Sequence, residues 1–430
     1  MTTGDQLDVL RAADGVARDR YGKLIAILAA ETRDLSAAED ALSDAFTGAL
    51  VRWHKEGVPR SPEAWLLSVA RRRLVDRIRH ARVVEGAAGH LRLAADERAD
   101  AACDEDEQIP DWRLRLMFVC AHPAIDRKVR APLMLQTVMG LDTASIAGAF
   151  LVSPHTMTQR LVRAKRKIKL AGISFEPPDG SEVAARLDAV LDAIYAVFMQ
   201  GWTDPLGGDP RRRGLAHEAL WLGALAVKLA PQEPEALGLM ALMLHLDARS
   251  EARRNASGDY VPLAEQDTAL WDPEMIAEAE DLLGRAAGRG RIGRFQLEAA
   301  IQSAHADRRR GNATDWPAIE NLYDHLHRLT GSPVVAINRA IASAERLGPE
   351  AGLRALDAIA ADPRLSGYQP FWAGKAELLS KMGDQPAAAA AFDQAIALET
   401  DGAVRDYLAR RRAQACQAGD GSNASLTGSS

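Results

Sequence analysis

Apolar residues recur along this chain at helical spacing, with polar positions between them. Met157, Leu161, Ala164 and Ile168 form one such stripe. It belongs to a helix predicted to start after Ser153, whose hydroxyl can cap the first turn, with Pro154 at the first helical position. Upstream, Asp142 can cap a shorter helix with Ile146, Ala147 and Phe150 as its inner face, and "LVS" makes a tight turn between the two. Two more stripes fall near the start: Leu42, Phe46, Leu50 and Trp53, then Leu66, Ala70, Leu74 and Ile78. Alternating β-branched runs are rare, so the predicted fold class is all-α.

The second half repeats itself. "SPVVAINRAIASAERLGPEAGLRALDAIAADPRL" and "QPFWAGKAELLSKMGDQPAAAAAFDQAIALE" align as two helix-turn-helix units. Gly348 and Gly383 fall in the turns, 35 residues apart, and Leu356 and Phe392 on the following helices, 36 apart. That is close to the ~34-residue tetratricopeptide period. "HEALWLGALAVKLAPQEPEALGLMALMLHLDA" is a third, less regular set. Stacked helix pairs make a concave surface, so a protein or peptide partner on these repeats is expected.

Composition divides the 430 residues into segments. Residues 7–82 form a helical block that ends in dense arginine. Residues 83–110, with "DERADAACDEDE", have no periodic apolar face and read as an acidic linker. A second helical block covers 111–172. "FEPPDGSE" marks the next boundary, and 181–416 is Ala/Leu-rich and helical. The small polar tail, 417–430, is expected to be disordered.

Charge changes the picture. The chain carries a formal net charge of −6, yet Ser153–Leu170 gathers six Lys/Arg and no acid. On a helix-turn-helix reading, His155, Thr156, Gln159, Arg160 and Arg163 face outward near the start of the second helix, where base edges are reached. Lys165, Arg166, Lys167 and Lys169 follow, suited to phosphates. The alternative is a solvated basic face, and overall acidity does not decide between them, because the local field governs. In the first block, Arg71, Arg72, Arg73, Arg77, Arg79 and Arg82 crowd one helix against a single acid, Asp76. The helix before it bears Glu39, Asp40 and Asp44 in its N-terminal half. Two readings stand side by side: a pair of packed amphipathic helices, or an acidic docking helix beside an arginine helix that tracks nucleic acid.

The arrangement resembles the extracytoplasmic-function sigma factors of bacterial RNA polymerase. "AEDALSDAF" is similar to their core-binding helix, "AWLLSVARRRLVDRIR" to the helix that engages the minus-ten element, and "LDTASIAGAFLVSPHTMTQRLVRAKRKI" to the fourth-region helix-turn-helix that reads the minus-thirty-five element. The short connector fits that class, which lacks the third-region domain. "RLRLMFVCAHPAIDRKVRAPLMLQTVMGL" and "SPVVAINRAIASAE" further resemble the subgroup with a large tetratricopeptide-like extension. There are departures: Ser145 stands where the family usually has Glu, and Cys120-Ala121-His122-Pro123 replaces a Cys-Cys-His-Pro run.

The resemblance implies two small sigma domains followed by an α-solenoid that regulates them. It implies core RNA polymerase as partner through Asp40, Asp44 and Phe46. It implies promoter DNA as partner through the Ser153–Lys169 helix upstream and through Arg71, Arg72, Arg73, Arg77 and Arg79 at the melted element. The competing reading is a polymerase-independent helix-turn-helix regulator whose repeats sense a ligand or peptide. An enzyme is not expected, since no nucleophile-base pair, phosphate loop, Rossmann fingerprint or metal motif is present. His325 and His327, at i and i+2, point to different helix faces, so neither metal nor cofactor is expected. Cys103, Cys120 and Cys416 lack CxxC spacing and read as unpaired thiols. "FMQGWTDPLGGDPRRRG" reads as a surface loop or an interaction loop. No signal-peptide pattern opens the chain and "APLMLQTVMGL" is too short to span a bilayer, so a cytoplasmic protein without membrane contact is expected.

Overall fold

The computed structural model describes residues 3–85, 112–150, 152–173, 175, 180–202 and 214–426. Nearly all of the acidic linker and most of the "FMQGWTDPLGGDPRRRG" loop lie outside them, as does Cys103. The fold is all-α: no strand occurs among the described residues, and the β-type pairing there is a single bridge between Arg254 and Tyr260.

Two compact units form, one from residues 1–200 with 209–215, the other from 201–208 with 216–430. The first contains α1 (Thr3–Thr32), α2 (Leu35–Glu56), α3 (Pro62–Glu85), α4 (Trp112–Cys120), α5 (Arg127–Thr137), α6 (Thr143–Ala149), α7 (Pro154–Leu170) and most of α8 (Gly180–Trp202). α1, α2 and α3 pack on one another around Leu24, Ile25, Leu28, Leu42, Trp53, Leu66, Ala70 and Leu74, all buried. Trp53 meets Trp65 edge-on at 5.5 Å. Each large apolar side chain so buried contributes about 1.5–3 kcal/mol. The stripe predicted on α2 is displaced. Leu42 and Trp53 are buried, but Phe46 is half-buried and Leu50 is exposed; Ala38, Ala41, Ala45 and Ala49 fill the interface instead. Alanine allows the helices to approach closely, and this turns the bulkier pair outward. On α3, Leu66, Ala70 and Leu74 are buried as their spacing predicts.

The second unit contains α9 (Leu215–Leu229), α10 (Pro234–Asp247), α11 (Pro273–Ala287), α12 (Arg294–Ala306), α13 (Trp316–Thr330), α14 (Pro333–Leu347), α15 (Pro349–Asp357), α16 (Gln369–Lys381), α17 (Gln385–Leu398) and α18 (Gly402–Leu426). From α12 onward each helix packs on its sequence neighbour. Asp315 and Asp384 cap α13 and α17, each accepting a backbone N–H from three residues on. The start of α12 has no cap of its own. Glu235 of α10 reaches across and accepts from the Phe295 and Gln296 amides at 2.9 and 3.2 Å. Gly348 and Gly383 lie between the paired helices with φ of 96° and 83°, a conformation that favours glycine. Leu356 and Phe392 anchor two successive cores, and both are buried. α18 runs to Leu426, ten residues beyond the boundary that composition gives at Cys416. Once a helix is nucleated, each added residue costs little.

Phe392→Ala removes a fully buried ring and is expected to destabilise the C-terminal unit by about 3–5 kcal/mol. Exposed Leu347→Ala should stay within about 0.5 kcal/mol. Urea unfolding of both variants checks the contrast; equal shifts would contradict it.

Candidate nucleic-acid interface

α6 and α7 are separated only by residues 150–153. Asp142 Oδ1 accepts the Ala144 and Ser145 amides, both at 2.9 Å, and its Oδ2 accepts the Ser145 hydroxyl at 2.7 Å. Ser145 thus closes the cap on α6. Ser153 Oγ accepts the Thr156 amide at 3.2 Å, with Pro154 at the first helical position. Met157, Leu161, Ala164 and Ile168 are all buried, as are Ile146 and Ala147, while Phe150 is half-buried.

With that stripe inward, the polar residues of α7 separate into two groups. His155, Gln159, Arg163, Arg166 and Lys167 are exposed, and Thr156 and Arg160 half-exposed. Gln159 Nε2 lies 2.9 Å from His155 Nε2, so the two side chains hold each other at the helix start. The second group turns toward α2. Lys165, expected to face phosphate, donates to Glu39 Oε2 at 2.6 Å, with side chains only 11% and 17% exposed. Lys169 Nζ lies 2.8 Å from Asp34 Oδ2. Position along α7 therefore did not determine which lysines are open; the neighbouring helix did. In the sequence Glu39 reads as one more acid at a helix start, with no sign of this pairing. Its partner stands 126 residues away, and no local pattern joins them.

α3 is divided in the same way. Arg72 and Arg73 are exposed. Arg71 makes a forked pair with Glu31, and Arg77 Nη1 lies 2.9 Å from Asp40 Oδ2 with Nη2 3.7 Å from Asp44 Oδ2. The Arg79 side chain lies outside those described. Asp40 and Asp44, the expected docking acids, are exposed but face this arginine. Beside them Leu50, Val51 and Val58 are exposed, and Asp44, Thr47, Gly48, Val51, Arg52 and Arg73 line a shallow depression. Exposed ion pairs of this kind contribute about 0.2–1 kcal/mol, whereas breaking a buried pair costs about 3–5 kcal/mol. The Arg77 pairs exchange readily for other partners; the Lys165–Glu39 pair resists.

Burial raises the Glu39 carboxyl above its ordinary value against the pull of Lys165, and Asp40 adds to the rise. Burial also pushes the Cys120 thiol up to about 12, where Thr137 Oγ1 lies 3.6 Å away. Such a thiol is inert near neutrality. Among the described residues no group of His, Cys, Asp or Glu could hold a metal ion, and no helix is long and apolar enough to cross a membrane.

Sigma-70 region 2 matches residues 17–83, which take in most of α1, all of α2 and nearly all of α3. The N-terminal part of the chain thus carries a sigma-70 region 2. The match contains Asp40, Asp44 and Phe46 together with Arg71, Arg72, Arg73, Arg77 and Arg79; α6 and α7 lie beyond it. A sigma-70 region 2 points to transcription initiation, with core RNA polymerase and promoter DNA as partners. A family of unknown function (DUF6596) matches residues 186–287. An uncharacterized protein of Rhizobium meliloti (strain 1021) is 40% identical over 379 residues, which are 87% of this chain and 89% of that protein. The chain is a member of that protein's family. No solved structure matches.

The raised Glu39 value makes the stability of this unit depend on pH. Since the folded value exceeds the unfolded 4.5, protonated Glu39 contributes stability that is complete below pH 4.5 and is lost as pH rises through the folded value. Glu39→Gln carries no charge to bury. From pH 4.5 toward neutrality, the unfolding midpoint of the wild-type N-terminal unit should therefore fall relative to that of Glu39→Gln. A constant offset between the two would contradict the assignment.

Proposed function

We propose that this chain is an extracytoplasmic-function sigma factor that binds core RNA polymerase and directs initiation at its own promoter class. The observation that carries the reading is the sigma-70 region 2 match over α2 and α3, where docking acids and an arginine row occupy adjacent helices. In this reading Asp40, Asp44 and Phe46, with exposed Leu50 and Val51 beside them, dock on polymerase. Arg72 and Arg73 hold melted DNA from the outset. Arg71 and Arg77 join them when Glu31, Asp40 and Asp44 find other partners. α6 and α7 act as a helix-turn-helix, with His155, Thr156, Gln159, Arg160 and Arg163 on bases and Arg166 and Lys167 on phosphates.

The α2–α7 contact gives the free chain a closed state. While Lys165 and Lys169 face Glu39 and Asp34, α7 is bound to the helix that polymerase would take. Docking of α2 and release of α7 then become one event. The helix pairs of residues 181–416 are the regulatory part, and the protein catalyses no reaction of its own.

Promoter-specific initiation by core polymerase supplied with the purified chain tests the whole reading; transcription without promoter preference would refute it. Asp44→Arg should abolish association with polymerase while the helical content stays unchanged. Arg163→Ala should cost about 1–3 kcal/mol of discrimination among upstream sequences if the guanidinium reads a base. Glu39→Ala frees one lysine, so the free chain should bind duplex DNA more tightly at low salt. Its log–log salt slope should steepen by about 0.9, and an unchanged slope would leave Lys165 out of the interface.

A further inference from the structure

α10 is apolar through its middle turns, as befits a helix packed on all sides; its polar residues are Glu235 in the first turn and His245 and Asp247 at the end. His245 has a side chain only 1% exposed, and neither ring nitrogen has a hydrogen-bond partner. One turn on, Arg249 gives Nη2 to Gln302 Oε1 of α12 at 2.6 Å, but its Nε is out of solvent and unpartnered. Trp271, 2% exposed, precedes α11 and is held at the end of α10 by the Asp272 amide, which donates to Ala248 O at 2.8 Å. Its Nε1 is unpartnered too. These three side chains, with Gln302 and His305, line a single cavity that offers about 10 Å³ to the centre of a water-sized guest.

The charge around the cavity is not balanced. Arg253 and Arg308 both act on Arg249 as like charges, while the neighbouring phenols of Tyr260 and Tyr323, raised by burial, carry no charge to offset them. Arg253 donates to Trp202 O and stacks on that indole at 4.0 Å; Arg308 donates to Leu263 O and Ala264 O. Carbonyls satisfy their hydrogens but carry no full charge; of the two, Arg253 also feels the Asp401 carboxylate. Glu280 Oε1 lies 3.4 Å from His245 Nε2 and is itself engaged by the Ser303 hydroxyl at 2.6 Å. Burial and Arg249 lower His245 to about 4, and burial with Arg249 and Arg308 does the same to His305, so both rings are neutral and each carries one N–H.

We propose that the cavity between His245, Arg249 and Trp271 binds one anionic atom, either a free halide or a single carboxylate oxygen of a small solute. Arg Nε–H and Trp Nε1–H can only donate. A guest that only accepts satisfies both and, unlike a water, supplies negative charge beside Arg249, Arg253 and Arg308. The space is of single-atom size. A larger open groove shares Ile276 and Ala306 with the cavity, so a carboxylate-bearing solute has room for the rest of its body.

The full-length chain is titrated with sodium bromide and, separately, with sodium formate, at constant ionic strength made up with sodium isethionate, a sulfonate with neither halide nor carboxylate. Thermal unfolding and crystals soaked in each salt are the readouts. Expected are a saturable rise in the unfolding midpoint and an anomalous bromide peak within reach of Arg249 Nε and Trp271 Nε1. Trp271→Phe keeps the ring and loses the donor, and should weaken binding about 10-fold or more. Competition between bromide and formate assigns the site to either guest; a response to formate alone assigns it to a carboxylate. A linear, unsaturable response that is identical in Trp271→Phe, with only a water in the cavity of the soaked crystals, overturns the proposal.

Discussion

Close approach of helices through alanine is the constraint on which the rest of this structure depends. α2 meets its neighbours along Ala38, Ala41, Ala45 and Ala49; α17 does so along Ala388, Ala391 and Ala395. α10 and α12 go further: a Cβ on Gly238 would lie 2.7 Å from the Gln296 amide nitrogen. Small side chains contribute little transfer energy each, so stability comes from many close contacts and from a few large anchors such as Trp53, Phe118 and Phe392. Short interaxial distances also bring the polar residues that flank each interface within ion-pair reach. The charge arrangement of the N-terminal unit follows from that packing.

This resolves the contrast between an acidic chain and its two basic helices. Glu31 meets Arg71, Asp34 meets Lys169, Glu39 meets Lys165, and Asp40 and Asp44 share Arg77. The acids of α1 and α2 form a counter-charge facing α3 and α7. Most of these pairs are exposed, so each is weak and salt-sensitive, and a polyanion or a basic partner surface can replace them. The half-buried Lys165–Glu39 pair differs in kind, since separating it leaves a charge with little water to receive it. Within the α2–α7 contact, one stiff pair thus stands beside a yielding one.

What the sequence made legible follows from the range of the forces involved. The inner face of α7 and its cap could be read directly, because four apolar residues at one spacing and a Ser-Pro start are local signals. The turn glycines Gly348 and Gly383 could be read for the same reason. The α2 stripe was misread because hydrophobicity ranks Phe46 and Leu50 above alanine, while close packing selects for small volume. The pairing of Lys165 is not legible in the sequence because it depends on Glu39, a tertiary neighbour with no sequence signature. The cap that Glu235 lends to α12, and the meeting of His245, Arg249 and Trp271, are likewise products of three-dimensional assembly.

The two units treat buried charge in opposite ways, and this separates their roles. In the N-terminal unit a partly buried acid and base pair through Glu39 Oε2, and the strength of the contact is set by how much water can reach it. In the C-terminal unit, Arg249 has its hydrogens only partly met and lies beside like charges and uncharged phenols. An unpaired buried guanidinium costs several kcal/mol, and α10, α11 and α12 hold it in place with an apolar helix, a backbone tie and a borrowed cap. A fold that maintains such a group without an internal acid retains a position where negative charge from outside stabilises it. That is the physical difference between a contact that opens and a site that fills.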